Sequence, residues 1–138
     1  MKSKFLKITL ALLMIVLVIP GTWIEVLAAD GVAIDAVNFP DENLRTAVKS
    51  LDTDSNNKLS DEEIAGVTEI DFNSASISDA TGLEIFYNLE RLYLNKNNIS
   101  VFKPGVFTKL EYLDLSDNDL KTLDVSKNTN FLGFDYIT

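Results

Sequence analysis

Between Leu51 and Ile64 the chain reads LDTDSNNKLSDEEI, a run of acids and amides spaced for oxygen donation to one small volume. Asp52, Asp54, Asn56, Lys58, Ser60 and Glu63 fall at positions 1, 3, 5, 7, 9 and 12 of the twelve-residue calcium-loop pattern, position 7 acting through its backbone carbonyl. Leu59 takes the apolar eighth place. The chemistry implied is ligation of a hard cation, because the acceptors of D-x-D-x-N would repel one another at close quarters without one. Position 6 is Asn57 where glycine is usual, and asparagine tolerates the left-handed backbone better than most residues. A second account needs no metal at two of these positions: Ser60 caps the next helix and Glu63 reaches back, a capping box. The first account predicts a structural Ca2+ and the second a metal-free loop.

Composition removes most other chemistry. The chain has no cysteine and no histidine, so disulfides, Ser/His/Asp and Cys/His nucleophile systems and the usual zinc and iron sites are excluded together. Carboxylate-pair catalysis stays formally open, the alternative being a carbohydrate-active enzyme. No motif with a catalytic mechanism supports it, and in so acidic a chain proximity of two carboxylates carries little information. The chain is therefore read as not an enzyme.

The segments around the loop must position it. At the N-terminus MKSKFLK precedes an apolar run from Ile8 to Ile19 that ends at Pro20-Gly21, with VLAAD beyond. The run has 12 residues, short of the ~20 needed to span a bilayer, and this reads as a secretory signal, residues 1–29, cut after Ala28 or Ala29. Residues 30–138 then carry 9 basic and 20 acidic side chains, net −11. That charge argues against nucleic acid or an anionic membrane as partner and for a protein with a basic or neutral surface. The expected location is secreted or cell-surface, with no stable membrane span after cleavage.

Repetition is the strongest signal. LERLYLNKNNI at Leu89 to Ile99 and LEYLDLSDNDL at Leu110 to Leu120 share L-x-x-L-x-L-x-x-N-x-[IL] at an offset of 21. The frame extends forward to Phe131, Phe134 and Tyr136, and back by 22 to Val67, Ile70, Phe72 and Ile77, with Ala75 in the asparagine column. This is the leucine-rich repeat period. L-x-L is a short strand whose alternate residues point inward, so stacked units make a parallel sheet along one face of a solenoid. Leu92, Leu94, Leu113 and Leu115 fill the core, and Asn97 and Asn118 satisfy backbone groups of neighbouring turns. Ile77, Leu83, Phe86, Leu120, Leu123 and Val125 supply the convex side, where Pro104-Gly105 breaks any helix. The units begin near 67, 89, 110 and 131.

A solenoid needs its first apolar layer covered, and residues 30–66, with loop 52–63, must supply that cap. FPDENLRTAVKSL predicts a helix with Pro40 at its first position, Asp41 and Glu42 at its positive end, and Leu44, Val48 and Leu51 on one face. NFPDENLRTAVKS, LSDEEIAGVTEIDFNSASISDATGLE and LDVSKNT resemble the internalin-like leucine-rich repeat proteins secreted by Gram-positive bacteria, over nearly all of residues 36–138. The resemblance implies an α/β fold, a small EF-hand-like helical cap followed by repeats at 67–138 whose concave face binds proteins.

The outward residues of the strands would form that face: Glu69, Asp71 and Asn73, then Arg91, Tyr93 and Asn95, then Tyr112, Asp114 and Ser116, then Asp135. One column reads Asp71, Tyr93, Asp114, Asp135, and its acids would attract lysine or arginine. Asp71, Arg91, Tyr93, Tyr112, Asp114 and Asp135 are the candidate partner contacts. The expected function is a secreted recognition module. The alternative is a structural cap and stub of a repeat array without a partner of its own.

Overall fold

The computed structural model describes residues 31–135, and of Phe134 and Asp135 the backbone alone. The proposed export signal, 1–29, and the frame residues Tyr136 and Ile137 lie outside the described residues. In chain order the elements are β1 (Val32–Ala33), α1 (Glu42–Val48), β2 (Lys58–Leu59), α2 (Asp61–Gly66), β3 (Glu69–Asp71), β4 (Arg91–Tyr93), β5 (Tyr112–Asp114) and β6 (Gly133–Asp135). Strands β3 to β6 form one parallel sheet in sequence order.

The sheet register follows the repeat frame. Ile70 pairs with Leu92, Leu92 with Leu113 and Leu113 with Phe134, so the sequence offsets of 22, 21 and 21 are also the strand offsets. Alternation is strict in β3 and β4: Ile70 and Leu92 are buried while Glu69, Asp71 and Arg91 are exposed. After each of the first three strands the backbone passes through the left-handed region, at Ser74, Lys96 and Asp117. None is glycine, and each is followed by the asparagine column of the frame. There Asn97 Oδ1 accepts the Ala75 and Ile77 N–H groups while its Nδ2 donates to the Phe72 and Leu94 carbonyls. The side chain thus holds two successive turns at once.

The convex return uses single 3-10 turns, Leu83–Ile85 and Pro104–Val106, in place of α-helices. Pro104 opens the second turn, where its missing N–H has no partner to lose. Phe86 and Phe107 occupy one column of this side and are buried. In the next unit that column holds Asn128, which the sequence reading did not single out. It is buried, and its Nδ2 donates to the carbonyls of Pro104 and Phe107, so an amide replaces an aromatic ring by bonding back to the preceding unit. A polar residue in an aromatic column 21 positions on was the available signal.

The first apolar layer is covered by Phe39, Leu44, Val48, Leu59 and Ile64, all buried and continuous with the repeat core. Helix α1 corrects one expectation: Asp41, not Pro40, sits at its boundary, because the Asp41 carboxylate accepts the Leu44 N–H at 2.9 Å and caps the helix. Pro40 lies one residue outside, and Leu51 belongs to a following 3-10 turn, Lys49–Leu51. The Phe39 ring lies so close to Gly82 that a side chain at 82, already at φ +111°, would collide with it. Cap and first convex turn therefore meet through a glycine.

Candidate functional site

Two groups of sequence-selected residues are brought together. The first is the loop between the cap helices. Its second half forms β2, which pairs antiparallel with β1 through Val32–Leu59 and Ala33–Lys58, while Asn57 accepts the Ile34 N–H. Ser55 and Asn57 take left-handed backbone at φ 59° and 64°, so asparagine at the sixth position adopts the conformation that glycine usually supplies there.

The loop acids fold inward onto their own backbone. Asp52 is buried and accepts the Asn56 and Asn57 N–H groups, one with each carboxylate oxygen. Asp54 accepts the Asn56 side-chain amide at 2.8 Å, and Asn56 Oδ1 accepts the Lys58 N–H. Ser60 and Glu63 form the reciprocal capping box of α2. Glu63 does more than cap: its Oε1 accepts both the N–H and the hydroxyl of Thr53 at 2.6 Å, closing the loop across ten residues. The Thr53 hydroxyl bond, followed by the Ser60 and Thr53 backbone bonds, holds the Glu63 carboxyl down at about 2. Thr53, at the second loop position, is not a ligand position, and spacing gave no reason to select it.

One carboxylate oxygen from each of Asp52, Asp54 and Glu63 lies within 4.8 Å of the others. Oxygen donors at this separation suit a hard divalent cation. The capping box of the second account is made in the structure, and the same loop gathers the three carboxylates on which the first account rests.

The second group is the concave sheet. Register neighbours place Glu69, Arg91, Tyr112 and Gly133 in one row, and Asp71, Tyr93, Asp114 and Asp135 in the next. Arg91 meets Glu69 at 3.6 Å, both side chains about half exposed, so this pair adds little stability. The Tyr93 and Tyr112 rings lie on adjacent strands with centroids 5.1 Å apart and planes tilted by 39°. Asp114 Oδ1 accepts the N–H and hydroxyl of Ser116, and Asp71 Oδ1 accepts the Asn73 N–H, which orients both carboxylates along the turn after the strand. For Asp135 the backbone register is known and the side chain lies outside the described residues. Among the described residues, no helix is long and apolar enough to cross a membrane.

Comparison with known proteins agrees with this architecture. Residues 81–129 match the family model for the leucine rich repeat. The chain is 34% identical over 81 residues to Internalin J of Listeria monocytogenes serotype 4b (strain F2365), an alignment spanning 58% of this chain and 8% of that protein. Among solved structures it is similar to the functional domain of InlJ from Listeria monocytogenes, with TM-score 0.64 and 29% identity over 74% of this chain and 23% of that one. It is also similar to an internalin (inlF) of the same species, with TM-score 0.65 and 25% identity over 77% of this chain and 32% of that one. The cysteine ladder of the InlJ domain has no counterpart in a chain without cysteine. The repeat register and these likenesses together show a leucine-rich repeat fold similar to that of the internalins, over a chain that spans only a small part of the relatives it matches.

Proposed function

We propose that the chain is a secreted protein-recognition module whose concave sheet binds a partner with a basic or neutral surface and whose cap is pinned by a structural Ca2+. The observation that carries the reading is the concave arrangement of half-exposed tyrosines among acids on a rigid, register-locked sheet. Among the described residues of the two concave rows Arg91 supplies the one positive charge, and it is already opposed by Glu69. Tyrosine offers large contact area at low conformational cost, and uncompensated acids steer cationic surfaces toward it. The module performs no reaction of its own in this reading.

In the cap, Asp52, Asp54, Asn56, Ser60 and Glu63 would hold Ca2+ by side-chain oxygen and Lys58 by its carbonyl. The ion supplies positive charge that relieves repulsion among the loop acids. Export rests on the N-terminal basic and apolar segments, residues 1–29.

The test is capture of a partner from surface extracts by the parent chain and by a Tyr93→Ala, Asp114→Lys double variant, with a melting curve for each. Both side chains lie on the half-exposed face, so the variant is expected to melt within a few degrees of the parent and to lose most capture. A variant that folds and captures the same protein as well as the parent removes the concave face as the site.

A further inference from the structure

Gly133 is the one position in the first concave row of the described strands without a side chain, and the Tyr112 ring lies over it. A Cβ built at Gly133 would stand 2.7 Å from Tyr112 Cδ2, with no backbone or core atom as close. The glycine therefore leaves room for the ring of the neighbouring strand to lie across the sheet. On its other side Tyr112 meets Tyr93, 5.1 Å away between centroids. Both rings are half-buried and keep surface open to solvent. Asp71 and Asp114 flank Tyr93 on the two adjacent strands, each about 5 Å from it in the pairing direction.

This grouping has a definite chemical preference. A planar cation can lie on a tyrosine face while a carboxylate opposes its charge, and guanidinium does so better than ammonium because it stacks and is weakly hydrated. The local cation that could compete, Arg91, is paired with Glu69. We infer that the Tyr93–Tyr112 pair, laid across Gly133, is the seat for an arginine side chain of the partner, with Asp71 and Asp114 as its counter-charges. Gly133 is a positioning residue in this assignment, and the inference rests on the concave-face reading above.

The experiment titrates the 15N-labelled chain with an acetylated and amidated pentapeptide, Gly-Gly-Arg-Gly-Gly, and with its citrulline analogue, which keeps the shape and loses the charge. Saturable shifts are expected on β4 and β5 around Tyr93, Tyr112 and Asp114, with the citrulline peptide silent. Tyr112→Leu and Tyr93→Ala should each weaken binding by about tenfold, the scale of a desolvated cation–π contact. Gly133→Ala should weaken it similarly by displacing the ring, and Tyr112→Phe, which keeps the ring, should bind like the parent. The Phe variant guards against reading a folding defect as a lost site. Equal binding of the citrulline peptide overturns the proposal. Shifts on the concave strands that Tyr112→Leu leaves unchanged remove the arginine seat while the concave reading stands, and shifts confined to the cap or convex loops remove both.

Discussion

Asp41 Oδ2 accepts both the backbone N–H and the hydroxyl of Ser78, at 2.9 and 2.8 Å, across 37 residues of sequence. The same oxygen takes the Asp79 N–H at 3.2 Å, while Oδ1 caps α1 through Leu44. Asn43 adds a bond from its amide to the Ser76 carbonyl. One carboxylate therefore starts the cap helix and fastens it to the first repeat.

Asp41→Ala is expected to cost about 1 to 3 kcal/mol, since it removes a helix cap and several bonds to a charged acceptor. Asp41→Asn should cost less, because the amide oxygen still accepts. Ser78→Ala should cost about 1 kcal/mol, as only the hydroxyl bond is lost. Urea melts of the two alanine variants and their double combination give the coupling between cap and repeat. Strictly additive values would mean that the two residues do not cooperate across the junction.

Acid should weaken both this junction and the loop. Burial raises the Asp41 pKa, but the backbone bonds from Leu44 and Ser78 and the Ser78 hydroxyl outweigh it, and the net shift is downward. Glu63 is held down as well, at about 2 against an ordinary 4.5. For both groups the unfolded chain takes up protons more readily than the folded one. Their stabilisation is complete above the ordinary carboxylate range and is lost as pH falls; for Glu63 the window runs from about 4.5 down to about 2. Melting temperature followed from pH 6 to pH 2 should therefore fall less steeply in Glu63→Gln than in the parent. Parallel curves would show that the Thr53 and Ser60 bonds do not shift this carboxyl in solution.

What sequence conveys and what it hides differ by range. The strand frame is legible because burial alternates with period two and repeats at 21 to 22 residues, so Ile70, Leu92 and Leu113 announce their own register. The clustering of the loop acids Asp52, Asp54 and Glu63 is legible as spacing. The closure of that loop by Thr53 is not, because it depends on which way Glu63 turns once α2 has formed. The Asp41–Ser78 bonds and the Gly82–Phe39 contact are equally silent, since they exist only after the cap has docked on the first repeat. Helix α1 begins two residues later than Pro40 suggests, for a local reason: proline favours the first helical position, but the adjacent Asp41 is the stronger cap and sets the start at Glu42.

Calcium gives a prediction that separates ligands from caps. Small extracellular loops of this kind bind with dissociation constants on the order of 10⁻⁴ to 10⁻³ M, so millimolar calcium should raise the melting temperature of the parent. Asp52→Ala and Glu63→Ala should abolish the increase, and Asp61→Ala, at a position that offers no side-chain ligand, should retain it. Thr53→Ala serves as the discriminating control, because it removes a Glu63 bond without removing a ligand. It should lower the melting temperature without calcium and leave the calcium increment intact. The same response to calcium in all four variants would assign the loop to capping alone.

The two ladder asparagines should not be equivalent. Asn97 is 5% exposed and accepts two backbone N–H groups, from Ala75 and Ile77, while donating to Phe72 and Leu94. Asn118 is half-buried; its Oδ1 accepts the Ile99 N–H, and its amide donates to Leu94 and Leu115. Removing Asn97 strands more groups, in a place water reaches less easily, so Asn97→Ala should cost roughly 2 to 3 kcal/mol and Asn118→Ala nearer 1 kcal/mol. Asn97→Asp tests the donor side alone: the carboxylate can still accept from Ala75 and Ile77 but faces the Phe72 and Leu94 carbonyls without a proton to offer. That variant should recover stability on acidification, opposite to the parent, as its new carboxyl takes up the missing proton. Equilibrium melts at two pH values decide it, and equal costs for the two alanine variants would mean that backbone satisfaction at Asn97 is not what holds consecutive repeats together.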